Sequence, residues 1–297
     1  MDMYGIFKAF WKNVEKSDNK LHATQVLPSG IKEINNIAYT GDGNTYHLLD
    51  FYCPESNDGK LPVIIDVHGG GWMYGDKELN KIYCEYLAAR GFAVFNISYR
   101  LVPETDVKGQ LSDVSLALKW IKENLSSFPV DESKIMLTGD SAGGFLAAFT
   151  SVISASEKLR DIFGTADHGL KFSCVTLTSP VAYMNENGAM GFYTRKMWGE
   201  GGFLKSGSKF MNIDELLEYT DKLPPMLLVT SSGDILALKQ TRRLYRELYL
   251  KGVKTEILDM PKFEGKNLPH VFGVLEPYSN AGIIYIDRME RFFRENS

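Results

Sequence analysis

Cysteine is scarce in this chain, with three residues (Cys53, Cys84 and Cys174) among 297. The count is odd, the spacing is wide and no CxxC occurs, which argues against a disulfide framework and against a thiolate zinc site. Cys53 and Cys174 fall in strand-like runs and are expected to pack as small apolar side chains, a usage that suits a reducing cytoplasm. Long apolar runs are also missing. No stretch approaches the roughly 20 residues that a membrane-spanning helix needs. The opening residues, MDMYGIFKAFWKNVEKS, carry charges throughout and lack the continuous apolar core of a secretory signal. Positive charge is not in excess, with 33 Lys and Arg against 37 Asp and Glu, a net charge of −4. Nucleic acid and stable membrane insertion are therefore not expected. The short cluster of Arg242, Arg243 and Arg246 reads as the solvated face of a helix. Internal repeats and low-complexity tracts are absent as well.

What the chain does have is 44% hydrophobic residues, enough for a large core. Strand-like and helix-like segments alternate, which predicts an α/β fold with a mostly parallel sheet. Strands are expected at 37–40, 47–53, 63–68, 92–97, 135–138, 172–177, 226–230 and 255–258. The first two are expected as an antiparallel start. Helices are expected at 77–90, 111–125, 142–153, 236–250 and 283–293. Ile6, Phe7, Phe10, Trp11 and Val14 lie on one face of a further, N-terminal helix, which should pack on the protein's own body. Residues 181–222 break the alternation. They are rich in glycine, methionine and aromatic residues and too long for a plain connection, so a lid or cap over a pocket is expected there. The expected organisation is one domain over 1–297, with residues 1–36 and 181–222 as cap elements.

Two glycine-rich motifs carry the chemistry. Gly139-Asp140-Ser141-Ala142-Gly143-Gly144 follows the strand at 135–138 and opens a helix of small residues. That context turns a Gly-x-Ser-x-Gly string into a nucleophile elbow, with Ser141 presented on a sharp turn and a helix N-terminus beneath it. His68-Gly69-Gly70-Gly71-Trp72 follows the strand at 63–68. Three successive glycines there allow backbone N–H groups to point at a ligand, as in an HGGG-type oxyanion loop. The expected donors are Gly70 and Gly71, joined by Ala142. His68 is expected to hold the loop rather than act as a base.

Of five histidines, His270 alone follows the last expected strand, which makes it the expected general base. The acid should follow the preceding strand, and Asp234 in Ser231-Ser232-Gly233-Asp234 occupies that place. Asp259 and Glu264 are the alternatives. Trp72, Asp140, Met197, Trp198 and Val271 are expected to line the substrate pocket.

HGGGW, YRLVPE at 99–104, GDSAGG, SSGD and LPHVF at 268–272 occur in this order over roughly residues 45–295. In this the chain resembles the hormone-sensitive-lipase-like carboxylesterases of the α/β-hydrolase superfamily. The resemblance implies an eight-stranded, mostly parallel sheet with helices on both faces, a cap and carboxylesterase activity without a cofactor or metal. It also implies structural roles for Arg100, Pro103 and Asp113. The chain departs from the pattern at Ile235-Leu236, where Pro-Leu is common, and at PKFEGKN before the histidine. The expected substrate is a small short-chain acyl ester, with acetyl esters included and a homo-oligomer compatible with the sequence. An amidase or peptidase on the same triad is the alternative, and a non-enzymatic binding module is a further one.

Overall fold

The computed structural model describes residues 3–184, 212–220 and 222–297. Eight strands form one sheet: β1 (Ile31–Ala38), β2 (Leu48–Pro54), β3 (Leu61–Val67), β4 (Ala93–Ile97), β5 (Val130–Asp140), β6 (Cys174–Thr178), β7 (Met226–Ser231) and β8 (Thr255–Met260). Their order is β1-β2-β4-β3-β5-β6-β7-β8. Only β2 runs against its neighbours, and every pair from β4 to β8 is parallel. The central strands are buried at their site-facing ends, with Val63, Ile64 and Ile65 of β3 and Ile135–Asp140 of β5 enclosed, while β5 is exposed at 132–134 where it begins. They read as continuous apolar runs because helices cover both faces of the sheet and remove any solvent-facing register.

The first strand lies earlier than the sequence suggests, at Ile31–Ala38 rather than 37–40. It is an edge strand, its burial pattern is largely exposed, and its register with β2 shifts between Ile34 and Ile37. Asn36 sits in this bulge with φ 60°, its N–H donating to Asp50 at 2.7 Å. An exposed, bulged edge needs no apolar alternation, so IKEINNIA carries little periodic signal.

On one face of the sheet pack α3 (Val107–Asn124), α4 (Ser141–Ser154), α5 (Glu157–Phe163) and α6 (Leu238–Leu250). On the other lie α2 (Lys81–Ala89) and α7 (Asn280–Glu295). Helix α4 is the most enclosed among the described residues, with Ala142 through Ile153 all buried, and its small residues at 142–144 let it approach the strands closely. Helix α5 was not expected from the periodicity. It is a short element, started by the Ser156 side chain accepting from Leu159 N–H and stopped by Gly164 in the left-handed region at φ 66°.

The N-terminal helix α1 (Met3–His22) turns a different face inward than the expected stripe. Phe7, Trp11 and Val14 are half-buried, but Ile6 and Phe10 are 54% and 55% exposed. The inner row continues through Asp18 and Leu21. Trp11 stacks on Tyr74 with ring centroids 5.7 Å apart, and the Tyr74 hydroxyl donates to Asp18 at 3.1 Å. These two contacts set the roll of the helix, so its apolar stripe is only half used. The ends of the 181–222 segment are tied down. Tyr183 N–H donates to Gln240 at 2.9 Å, Met184 N–H to Asn212 at 2.8 Å, and Ile213, Leu216 and Leu217 are buried in the core.

Candidate active site

Strand β5 ends at Asp140 and α4 begins at Ser141 with no residue between them. The chain reverses within Ser141 itself, whose φ is 51°. A left-handed serine is unfavourable by roughly 1–2 kcal/mol, and only tight surroundings hold it. Gly143 supplies them. A Cβ at that position would run into the backbone carbonyls of Val67 and His68, so only glycine allows α4 to sit this close to the end of β3.

His270 reaches this turn from the loop after β8. Its Nε2 lies 2.8 Å from Ser141 Oγ, and its Nδ1 lies 2.9 Å from Asp234 Oδ1. Asp234 is fully buried. Burial alone would raise its carboxyl, but the His270 ring, the Ala237 N–H and the Ser179 hydroxyl outweigh that and hold it below the usual carboxylate range. Oδ1 also accepts from Leu236 N–H at 3.1 Å and Ala237 N–H at 2.8 Å. The aspartate therefore caps the turn leading into α6 while it orients the imidazole. The structure brings Ser141, His270 and Asp234 into one hydrogen-bonded row, with the histidine side chain 20% exposed and the aspartate enclosed behind it. The alternative acids lie elsewhere: Asp259 pairs with Arg242 at 2.6 Å, and Glu264 accepts from Asn280 at 3.0 Å.

The glycine loop stands beside the elbow because β3 and β5 are paired in parallel, with Val67 opposite Gly139. Gly70, Gly71 and Trp72 all have positive φ, at 99°, 55° and 63°. The Gly70 carbonyl accepts from the N–H groups of Met73 and Tyr74 at 3.2 and 3.0 Å, which folds the loop into a compact turn. His68 is fully buried, its ring stacked on Tyr99 at 4.4 Å, with Nδ1 2.9 Å from the Gly69 carbonyl. Burial pushes its imidazole down to about 4, so it stays neutral at ordinary pH. The Tyr99 hydroxyl donates to the His68 carbonyl at 2.8 Å. Arg100 grips the enclosed Asp113 carboxylate through Nε at 2.9 Å and an Nη at 2.6 Å, tying the strand end to α3.

The residues expected to line a pocket are placed differently from one another. Met197 and Trp198 lie outside the described residues. Asp140 is 5% exposed and faces the underside of the glycine loop, accepting from Gly69 N–H at 3.0 Å, so it is a support rather than a wall. Val271 has φ 50° and is packed in the core beside α7, at 8% exposure, because the strained turn after His270 points it inward. Trp72 is 3% exposed and meets the edge of Phe145 at 5.4 Å. Three supporting residues carry no motif signal. Gln110 donates to the carbonyls of Trp72 and Arg100 at 2.9 and 2.8 Å, Asn80 donates to Asp140 at 2.8 Å, and Ser179 accepts from Val271 N–H at 3.4 Å. Gln110 alone had a readable clue, a polar side chain one helical turn ahead of Asp113 on the inward face of α3. Among the described residues no group of three His, Cys, Asp or Glu side chains is arranged to hold a metal ion.

The pattern of the BD-FAE family matches residues 49–248, more than half of the chain. The chain belongs to the BD-FAE family. The BD-FAE match includes the glycine loop, Ser141 and Asp234, and ends before His270. Among solved structures, esterase B from Lactobacillus rhamnosis inhibited by a tributyrin phosphonate superimposes with a TM-score of 0.93 at 30% identity, covering 99% of this chain and 94% of that one. An esterase of Pyrobaculum calidifontis, at 23% identity and a TM-score of 0.71, shares the fold. The fold of this BD-FAE member is thus the α/β-hydrolase fold that the motifs imply. Among curated proteins, the versiconal hemiacetal acetate esterase of Dothistroma septosporum is 35% identical over 40% of this chain and 36% of its own length. Carboxylesterase NlhH of Mycobacterium tuberculosis is 32% identical over 47% of this chain and 42% of its own. The matched region spans well under half the length of these curated relatives.

Proposed function

We propose that this protein is a serine carboxylesterase that hydrolyses small short-chain acyl esters, acetyl esters among them. The observation that carries this reading is the unbroken pair of hydrogen bonds from Ser141 Oγ to His270 Nε2 at 2.8 Å and from His270 Nδ1 to Asp234 Oδ1 at 2.9 Å. In this reading Ser141 Oγ attacks the ester carbonyl carbon while His270 takes its proton. Asp234 holds the Nδ1–H tautomer and stabilises the imidazolium that forms. The backbone N–H groups of Gly70, Gly71 and Ala142 receive the charge that develops on the carbonyl oxygen. Collapse breaks the bond to the alcohol, which leaves with the proton from His270. A water then attacks the acyl-enzyme with His270 as base, and the acid is released from Ser141.

The short-acyl preference is supported by the relatives. One is named for an acetate ester, and another is captured with a tributyrin-derived phosphonate. We read the chain as one catalytic domain with α1 as a cap element; of the expected cap, 31–36 instead belong to β1, and 185–211 lie outside the described residues. The stacking of Trp11 on Tyr74, two residues beyond Trp72, supports α1 in that role. The three cysteines are buried free thiols, which fits a reducing cytoplasm.

The test is a panel of p-nitrophenyl esters from acetate to decanoate, with wild type and Ser141→Ala. Turnover should be greatest on the short esters, and the Ala variant should lose on the order of 10⁴–10⁶ in kcat. An Ala variant that keeps wild-type turnover removes Ser141 from the mechanism.

A further inference from the structure

Three buried polar side chains sit behind the nucleophile turn, and none belongs to the row that reaches Ser141. Asp66 lies on β3 at 1% exposure, and Asp140 ends β5. Asn80 closes the short 3₁₀ helix Lys77–Asn80 ahead of α2 and is 2% exposed. The Asn80 amide nitrogen donates to Asp66 Oδ2 at 2.8 Å and to Asp140 Oδ1 at 2.8 Å. Both of its N–H bonds are thus committed to carboxyl groups. The same Asp140 oxygen accepts from Gly69 N–H at 3.0 Å.

The consequence is mechanical. Gly69 opens the glycine loop and Asp140 immediately precedes Ser141, so one oxygen ties the proposed oxyanion donors to the proposed nucleophile. That oxygen is held in turn by Asn80. Free rotation of the Asp140 carboxyl would release Gly69 N–H. A packed amide with two carboxyl partners prevents it. Burial pushes Asp66 up to about 8, aided by the Asp140 charge, and pushes Asp140 up to about 6 against the pull of Asn80, His270 and Gly69. Of the two, Asp66 is raised the further, so the carboxyl on Gly69 N–H is the one that gives up its proton more readily.

We propose that Asn80 is a positioning residue for ester hydrolysis: by strapping Asp140 to Asp66 it holds the Asp140 carboxylate on Gly69 N–H, and so fixes the glycine loop at the distance from Ser141 that oxyanion binding requires. This rests on the esterase reading above. It predicts an effect on the transition state rather than on ground-state binding, because the loop's donors meet a full negative charge only after attack.

The experiment compares Asn80→Leu, Asp140→Asn and the double variant with wild type, using p-nitrophenyl acetate and thermal melting. Asn80→Ala serves as a second variant that removes the donors without crowding the site. The Asn80 variants should lose about 10–100-fold in kcat, below the cost of deleting an oxyanion donor outright, with KM within about twofold. The double variant should be no slower than the slower single, because both act through one contact. Folded Asn80 variants with wild-type kcat, or losses that multiply in the double variant, overturn the proposal and leave the esterase reading standing. If both Asn80 variants fail to fold, multiplicative behaviour is replaced by Asp140→Asn alone: wild-type kcat in that variant overturns the proposal. Wild-type protein that cleaves no ester of the panel overturns the esterase reading and the strap together.

Discussion

Asp234 and His270 meet at 2.9 Å from turns that follow two adjacent parallel strands, β7 and β8. The register of those strands, with Thr230 opposite Asp259 and Ser231 opposite Met260, brings both loops to the same end of the sheet. Asp234 is committed before substrate arrives, since Ala237 and Leu236 N–H groups already fix its Oδ1. Asp234→Asn should keep this turn but present an N–H or a neutral oxygen to the ring. The tautomer needed by Ser141 is then disfavoured. We expect a fall of about 10⁴ in kcat with an intact fold, the size seen where a triad aspartate is amidated. Turnover of p-nitrophenyl acetate together with a melting curve checks it, and a loss under tenfold would count against Asp234 as the acid.

Gly143→Ala should damage both fold and activity. The added methyl meets backbone, the carbonyls of Val67 and His68, and backbone cannot swing aside as a flexible side chain can. Helix α4 must retreat from β3, and Ser141 moves with it. Overpacking of this kind costs ~1–3 kcal/mol. The expected outcome is a lower Tm and a shift in the reactivity of Ser141 toward a phosphonate probe. An unchanged Tm would show that the close approach is not needed.

Gln110→Leu should be milder. It removes two donors, to the carbonyls of Trp72 and Arg100, but the Trp72 carbonyl keeps Val102 N–H at 2.9 Å. The Gln110 Oε1 atom is buried without a hydrogen-bond partner, so its removal offsets part of the loss. A destabilisation of about 1 kcal/mol is expected, at the low end for a buried polar group. Chemical denaturation checks it, and a loss above about 3 kcal/mol would mean the helix contact does more than hydrogen-bond.

Asp66 predicts a pH dependence with a definite sign. Its carboxyl is raised from 3.8 to about 8 by burial, so the native state holds a proton that the unfolded chain releases. The associated stability is fully present below pH 3.8 and is lost as pH rises through about 8. His68, lowered from 6.5 to about 4 by burial, acts in the opposite sense, its contribution being lost as pH falls from 6.5 through about 4. The window free of His68 is therefore above pH 6.5. There the Tm of wild type should fall with pH more steeply than that of Asp66→Asn, which has no proton to lose. Glu85, raised to about 7 chiefly by burial, tilts both proteins alike. Parallel curves for the two proteins across the window would show that Asp66 is not protonated in the native state.

The motifs were legible because they are contiguous. GDSAGG and HGGGW each declare a turn whose backbone demands are met within a few residues, and the glycines at 70 and 143 are required there by positive φ or close approach. The central strands were legible from their short apolar cores, such as Val63–Ile65 and Ile135–Leu137, although the polar start of β5 at 131–134 was not. The edge strand β1 was not, since a half-exposed bulged edge needs no apolar pattern. The inward face of α1 was not either, because the Trp11–Tyr74 stack and the Tyr74–Asp18 hydrogen bond choose it from outside the helix.

The sequence by itself determined the turns, the alternation of strands and helices, and the identity of a serine, a histidine and an aspartate in an order suited to acyl transfer. Tertiary structure alone decided what stands behind them. Gly69 and Asp140 are 71 positions apart in the chain, Asn80 and Asp140 are 60 apart, and His270 and Ser141 are 129 apart. No local propensity encodes such a contact. The Gly69–Asp140 contact exists because parallel pairing of β3 with β5 sets two chain reversals side by side, and because burial makes an unmatched polar atom there costly enough to select its partner.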